Sequence, residues 1–186
     1  MRQKLIQFTP GTGGQTAEST LLPDLQRQTR CIVIGLGNPI LGDDGFGWVV
    51  AEQVRQHIDQ LDQPVDIECF ALGGLSLMER LIGYDEAILI DAIHLGQSPV
   101  GALQAIPLAE IPDMMAGHLS SSHDTTLKNA IQMGISLGAH LPERITIVGV
   151  ETSAIFDFSE ELSAPVEAAV PGAVQMVLNL LDIQEC

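Results

Sequence analysis

The sequence predicts an α/β fold, a three-layer α/β/α sandwich in which a mostly parallel sheet is covered by helices on both faces. Five short apolar segments alternate along the chain with segments whose apolar residues recur at helical spacing. Aromatic residues make up only 4% of the 186 residues, so aliphatic side chains must build the core, which suits a layered α/β fold. No internal repeat and no second composition regime interrupt this alternation, which indicates a single domain.

The five predicted strands are short and β-rich. The first and third are apolar runs typical of buried parallel strands, whereas the second alternates between apolar and polar residues. The fourth ends at Pro107. The predicted strands span residues 31–35, 65–70, 86–93, 101–107 and 144–150.

Four helices are predicted around these strands. The first three span residues 45–60, 75–82 and 123–139. Pro165 can open the last helix at its first position, because a proline there loses no helical hydrogen bond. Pro171 lies inside the apolar pattern of this last helix and should kink or interrupt it.

The N-terminal segment and the overall charge limit the classes of protein to which this chain can belong. Residues 1–30 show no sustained period, so we expect a flexible arm before a single domain over residues 31–186. The formal net charge is −16 and no basic cluster occurs, which argues against nucleic-acid and anionic-membrane partners. No apolar run reaches the length of a membrane span or a signal-peptide core. We therefore expect a cytoplasmic protein.

The three cysteines indicate neither a disulfide framework nor a zinc ribbon. Cys31 and Cys69 lie in apolar runs, Cys186 is terminal, and no C-x-x-C occurs. This usage favours a reducing compartment.

Chemistry-bearing side chains follow several predicted strands. The loop after the first strand contains Asp43 and Asp44, the third strand closes with Asp91, and a long loop delivers His123 at a predicted helix start. Ligands of open α/β sheets bind outside the carboxyl ends of the strands. We therefore expect Asp43 or Asp44 to converge with Asp91 and His123. Such a set can bind a borderline divalent ion or activate a water as a general base.

Other readings of the polar motifs are weaker. The first loop lacks the third glycine of a dinucleotide fingerprint, because Ile40 stands there, and its aspartates would repel a pyrophosphate. Residues 120–124, SSSHD, cannot form a triad in place, because adjacent residues point apart. Four further histidines are more often surface or core residues than ligands, although the second and third lie nearer the expected site: His57, His94, His118 and His140.

These segments together resemble the NiFe-hydrogenase maturation proteases. The resemblance covers roughly residues 31–183. The motif in the first loop is specific to this family, whereas the other motifs are short and support the resemblance by their order and spacing. They are GLGNPILGDDGFG at 35–47, ILIDA at 88–92, SSHD at 121–124, IVGVE at 147–151 and the last helix with its two prolines.

The resemblance implies a fold, a site and an activity. The fold is five-stranded with one antiparallel strand, and the metal-contacting site maps onto Asp44, Asp91 and His123. The first acid is Glu in some relatives and Asp here, a shorter arm that should still reach a metal. Family members cut a C-terminal extension from a hydrogenase large-subunit precursor after nickel insertion. The nickel then belongs to the substrate, and we expect the free protein, a monomer, to hold no tightly bound metal.

Two alternatives and one mechanistic choice stay open at this point. The chain could be a non-catalytic module that checks the precursor for nickel, or a small-molecule metallohydrolase on the same fold. The aspartates could act only as metal ligands, or Asp44 or Asp91 could also serve as a general base.

Overall fold

Five strands form one mixed sheet in the order β2-β1-β3-β5-β4. A computed structural model describes residues 29–59, 65–111, 126–153 and 158–182. Neighbouring strands are parallel except for β4, which pairs antiparallel to β5. The predicted mostly parallel sheet with one antiparallel strand is confirmed. The strands are β1 (Cys31–Leu36), β2 (Val65–Phe70), β3 (Glu86–Ile93), β4 (Leu103–Pro107) and β5 (Arg144–Glu151).

Helices cover both faces of this sheet, as the sequence predicted. Helices α1 (Phe46–Asp59) and α4 (Ala164–Leu180) pack on one face and on each other. Helices α2 (Gly74–Arg80) and α3 (Leu127–Ser136) form the other layer. In the described ranges no helix is long and apolar enough to cross a membrane.

Each central strand contributes side chains to two cores. Along β1, Ile32 and Ile34 lie under α2 and α3, while Val33 lies under α1 and α4. Successive side chains of a strand point to opposite faces of the sheet. Because helices cover both faces, all three side chains are fully buried. Burying one such side chain stabilises the fold by about 1.5–3 kcal/mol. A strand covered on both sides is therefore a continuous apolar run, which is the pattern that predicted it.

Helix α3 starts later than the sequence pattern indicated. The predicted start at His123 is wrong, because Thr126 is still extended and caps the helix that begins at Leu127. The Thr126 hydroxyl accepts the backbone N–H of Asn129 at 3.3 Å, which satisfies a donor that the first helical turn leaves free. Residues 108–110, expected to be loop, form a short 3-10 helix.

Helix α4 runs through Pro171 without interruption, so of the two expected effects, a kink or an interruption, the interruption is absent. Pro165 is the second residue of this helix and not the first. Pro171 lies on the exposed face of α4. The carbonyl of Glu167, which loses its N–H partner there, can be satisfied by water, so the break is avoided.

Residues 1–28 lie outside the described residues, and so does most of the predicted N-terminal arm. Its last residue, Arg30, contacts the domain. The Arg30 backbone N–H donates to Asp85 Oδ2 at 2.9 Å, and its guanidinium lies 4.7 Å from the centre of the Tyr84 ring.

Candidate functional site at the carboxyl edge of the sheet

The loop after β1 folds over the carboxyl edge of the sheet and buries one of its two aspartates. Asp44 is 4% exposed and belongs to a 3-10 helix, Gly42–Gly45, that packs against β3. Its Oδ2 accepts the backbone N–H of Asn38 at 2.8 Å. Gly37 has φ +121°, and a Cβ there would collide with the Asp44 carbonyl. Glycine at this position lets the loop close and hold the Asp44 carboxyl inside.

The neighbouring Asp43 has a different task. Its Oδ1 accepts the backbone N–H of Ser163 at 2.6 Å, and its Oδ2 accepts the Ser163 hydroxyl at 2.9 Å. Ser163 is the residue that precedes helix α4. Asp43 therefore links the first loop to the start of α4, whereas the side chain of Asp44 is buried between the loop and the sheet.

Asp91 lies in β3 near the same edge and is 1% exposed. It stands opposite Gly149 of β5. Helix α1 begins directly beside it, because a Cβ on Gly47 would collide with the carbonyls of Leu36 and Ile90. Asp44 is three residues before Gly47, and Asp91 follows Ile90. The close approach of α1 therefore places both carboxylates at the carboxyl edge of the sheet.

His123, the third predicted site residue, lies outside the described residues, as do His118 and the SSSHD segment. The described chain stops at Ile111 and resumes at Thr126. Within the described ranges, no group of three or more His, Cys, Asp or Glu side chains is arranged to hold a metal ion. His123 as a partner of the two aspartates stays a prediction.

A third buried carboxylate, Glu151, completes the carboxyl edge. Glu151 is the last residue of β5 and is 1% exposed. Its Oε1 accepts the backbone N–H groups of Leu95 at 2.9 Å and Gly96 at 2.8 Å. The same oxygen lies 3.6 Å from Nδ1 of His94. The sequence carried a signal for Glu151, an acid closing a strand as apolar as the one that holds Asp91, but not for its pairing with His94.

The electrostatics of this edge are one-sided. Among the described residues, the buried ionisable side chains are Asp44, Asp91 and Glu151, all acidic and all at the carboxyl edge. Burial penalises the charged form of a carboxylate, and a nearby cation offsets that cost. The edge can therefore receive a positively charged group or a metal-bearing partner.

His57, His140 and Cys31 do not join this edge. His140 contacts Asp85 Oδ1 at 2.9 Å at the opposite edge, and His57 contacts the Gln53 carbonyl within α1 at 2.7 Å. Burial raises the pKa of the Cys31 thiol to about 11, with a further contribution from nearby Glu86. Cys31 therefore offers no thiolate near neutral pH.

Solved structures share this architecture. The hydrogenase maturating endopeptidase HybD from Escherichia coli superposes with a TM-score of 0.64 at 22% identity, over 83% of this chain and 93% of that one. The crystal structure of a hydrogenase 2 maturation peptidase from a Thaumarchaeota archaeon superposes with a TM-score of 0.57 at 28% identity, over 84% of this chain and 100% of that one. The fold is thus that of a small α/β maturation peptidase.

Sequence relatives give the same family. Residues 71–180 match the hydrogenase maturation protease family. The hydrogenase expression/formation protein HupD of Rhizobium leguminosarum bv. viciae is 30% identical over 152 residues, 82% of this chain and 74% of that protein. The hydrogenase 2 maturation protease of Escherichia coli is 26% identical, over 82% of this chain and 90% of that protein. The chain belongs to the hydrogenase maturation protease family, and it is a peptidase.

Proposed function

We propose that this peptidase removes the C-terminal extension of a NiFe-hydrogenase large-subunit precursor after nickel has been inserted. The observation that carries the proposal is the pair of buried carboxylates, Asp44 and Asp91, at the carboxyl edge of a chain that belongs to this family. Cytoplasmic action and a monomeric protease are part of the same proposal.

The nickel of the precursor is the element that this site would recognise. Carboxylate oxygens of Asp44 and Asp91 and the imidazole of His123 are ligand types that a borderline divalent ion accepts. The ion would fix the precursor's C-terminal segment over the edge. It would also polarise the scissile carbonyl or a water beside it.

Charge explains why trimming would wait for nickel. Without a cation, the Asp44 and Asp91 carboxylates repel an additional negative group and attract no neutral peptide. A nickel-loaded precursor supplies the charge that the edge lacks. The free protein should hold metal weakly, because three ligands fall short of the four that structural zinc sites generally use.

The test is trimming of nickel-loaded precursor against the same precursor without metal, followed by intact-mass spectrometry. We expect a discrete C-terminal loss only from the nickel-loaded form. Binding of the loaded precursor without any mass loss would favour the nickel-checking module. Hydrolysis of small esters or amides together with an untouched precursor would favour the small-molecule hydrolase. Equal trimming of both precursor forms would contradict the role of nickel.

A further inference from the structure

We propose that His94 is a further catalytic residue of this protease. Its Nε2 would transfer a proton between water and the scissile peptide bond, and Glu151 and Thr152 would hold the ring in place. The inference rests on the proposed function and adds a residue to its site. A lone histidine in a sequence is most often a surface residue. The contacts of this one are what set it apart.

One hydrogen bond of His94 indicates its tautomer. His94 Nδ1 lies 2.8 Å from the carbonyl oxygen of Thr152, and a carbonyl oxygen can only accept. Nδ1 must therefore carry a proton, which leaves the lone pair of the neutral ring on Nε2. Nε2 makes no hydrogen bond to the described residues, and the His94 side chain is 44% exposed. An imidazole held in this way offers an open base to a peptide arriving at the edge.

Glu151 stands behind the ring as a charge partner. Its Oε1 lies 3.6 Å from His94 Nδ1, close enough to stabilise the imidazolium that forms when Nε2 takes a proton. Its Oε2 is buried and accepts no hydrogen bond within the described part of the chain. A buried, incompletely bonded carboxylate is costly to keep. The amide oxygen of a Gln could accept the two backbone N–H groups that Oε1 accepts, so capping alone does not require the charge.

Strands β3 and β5 place this pair at the carboxyl edge of the sheet. Ile93 and Glu151 stand opposite each other at the ends of β3 and β5. The Thr152 backbone N–H and hydroxyl both donate to the Ile93 carbonyl, at 2.8 Å and 3.2 Å, which fixes the acceptor that orients the ring. His94 follows Asp91 by three residues, so it leaves the sheet at the edge where the two aspartates lie.

The proposed step is the hydrolysis of one peptide bond by one water. Nε2 takes a proton from the water as its oxygen bonds to the scissile carbonyl carbon. The tetrahedral intermediate then expels the amine, and Nε2 returns the proton to the departing nitrogen as the C–N bond breaks. His94 ends as it began, with Glu151 compensating its charge between the two transfers. Asp44 and Asp91 take no part in these proton transfers and would face the nickel.

The experiment compares His94→Asn and His94→Gln with the wild type on nickel-loaded precursor. The amide of Asn can still donate to the Thr152 carbonyl but has no atom at the Nε2 position. The amide of Gln reaches toward that position but carries no proton between water and amine. Positioned proton transfer contributes about 10²–10⁴-fold, so kcat should fall at least about 100-fold in both variants while KM changes little.

Two further variants separate charge from structure. Glu151→Gln keeps an acceptor for the Leu95 and Gly96 N–H groups but removes the charge, and its kcat should fall about 10-fold or more at an unchanged KM. His140→Asn at the opposite edge is the matched control and should trim at the wild-type rate.

The outcomes separate this inference from the proposed function. A wild type that trims, with His94→Asn trimming equally well, overturns the role of His94 alone. A raised KM at unchanged kcat overturns proton transfer, because it indicates binding only. If neither His94 variant folds, Glu151→Gln decides, and an unchanged kcat in that variant overturns the catalytic role of the pair. A wild type that leaves the loaded precursor intact overturns the proposed function and this inference together.

Discussion

The two edges of the sheet use carboxylates in opposite ways. At the carboxyl edge, Asp44, Asp91 and Glu151 are buried. At the amino edge, Asp66 and Asp85 are more exposed, and each faces a hydroxyl-bearing or basic partner. Asp66 accepts the Tyr84 hydroxyl at 2.7 Å, and Asp85 contacts His140 at 2.9 Å.

The carboxylates at the amino edge contribute to stability, whereas those at the carboxyl edge belong to the proposed active site. Exposed charge pairs such as Arg144 with Glu86 contribute about 0–1 kcal/mol each, because water screens them, and they avoid the desolvation cost of burial. Buried carboxylates cost stability, so natural sequences keep them where chemistry needs them. The same kind of substitution should therefore reduce trimming at the carboxyl edge and reduce stability at the amino edge.

The largest expected effect is on trimming. Asp91→Asn removes a charge while keeping the shape, and we expect loss of at least about 100-fold in the trimming rate, because an amide is a poor metal ligand and a poor base. Its thermal midpoint should be unchanged or slightly higher, since clustered carboxylates repel each other. Trimming is followed by intact mass and stability by thermal unfolding. Asp44→Asn and His123→Ala should also lose trimming.

The matched change at the amino edge is Asp66→Asn. It weakens the contacts to Tyr84 and Arg30, so the thermal midpoint should fall modestly while trimming continues at the wild-type rate. If Asp91→Asn trims normally, or if Asp66→Asn abolishes trimming, the contrast between the edges is wrong.

The next effect in size is on the packing that builds the carboxyl edge. Gly47→Ala places a methyl group against the Leu36 and Ile90 carbonyls, which are backbone and cannot turn aside. Overpacking typically costs 1–3 kcal/mol, and we expect about 3 kcal/mol or more here by urea unfolding. Gly172→Ala is the control. Its methyl would meet only the end of the Leu103 side chain at 3.0 Å, so stability should stay within about 1 kcal/mol. Equal losses at both positions would contradict the close approach of α1.

A smaller effect is expected from Tyr84 at the amino edge. Burial, and then the hydrogen bond to Asp66, raise the pKa of Tyr84 to about 12 from its ordinary value of 10.0. Because the folded pKa lies above the unfolded one, the stabilisation is complete below pH 10 and is lost as the pH rises through 12. Tyr84→Phe should cost about 1 kcal/mol at neutral pH and remove this dependence. Thermal midpoints of both proteins across that range test it, and parallel curves would refute the assignment.

The smallest expected effect is that of the N-terminal segment. Deleting residues 1–28 keeps Arg30 and its bond to Asp85, so the thermal midpoint should stay within about one degree of the full chain, because the segment lacks a periodic apolar face. Trimming should continue. A shorter chain that also lacks Arg30 should be slightly less stable, and a large drop on removing residues 1–28 would show that they pack on the domain.

The sequence by itself determined the sheet, the helical layers and the edge where Asp44 and Asp91 lie. Strands buried on both faces must be apolar throughout, and helices buried on one face must have apolar residues every three or four positions. These patterns can be recognised within short stretches of the sequence. The resemblance to the maturation proteases followed from the first loop and the order of the later motifs, and the family is confirmed.

Only the tertiary structure decided what the individual side chains at that edge do. Asp43 and Asp44 are adjacent and chemically identical, and they differ because Ser163, 120 residues away, takes one of them. His94 becomes oriented through Glu151 and Thr152, which lie 57 and 58 positions further along the chain. A local pattern fixes which face a residue is on. The partner it meets depends on which distant segments the fold brings together, and that is set by packing of the whole chain.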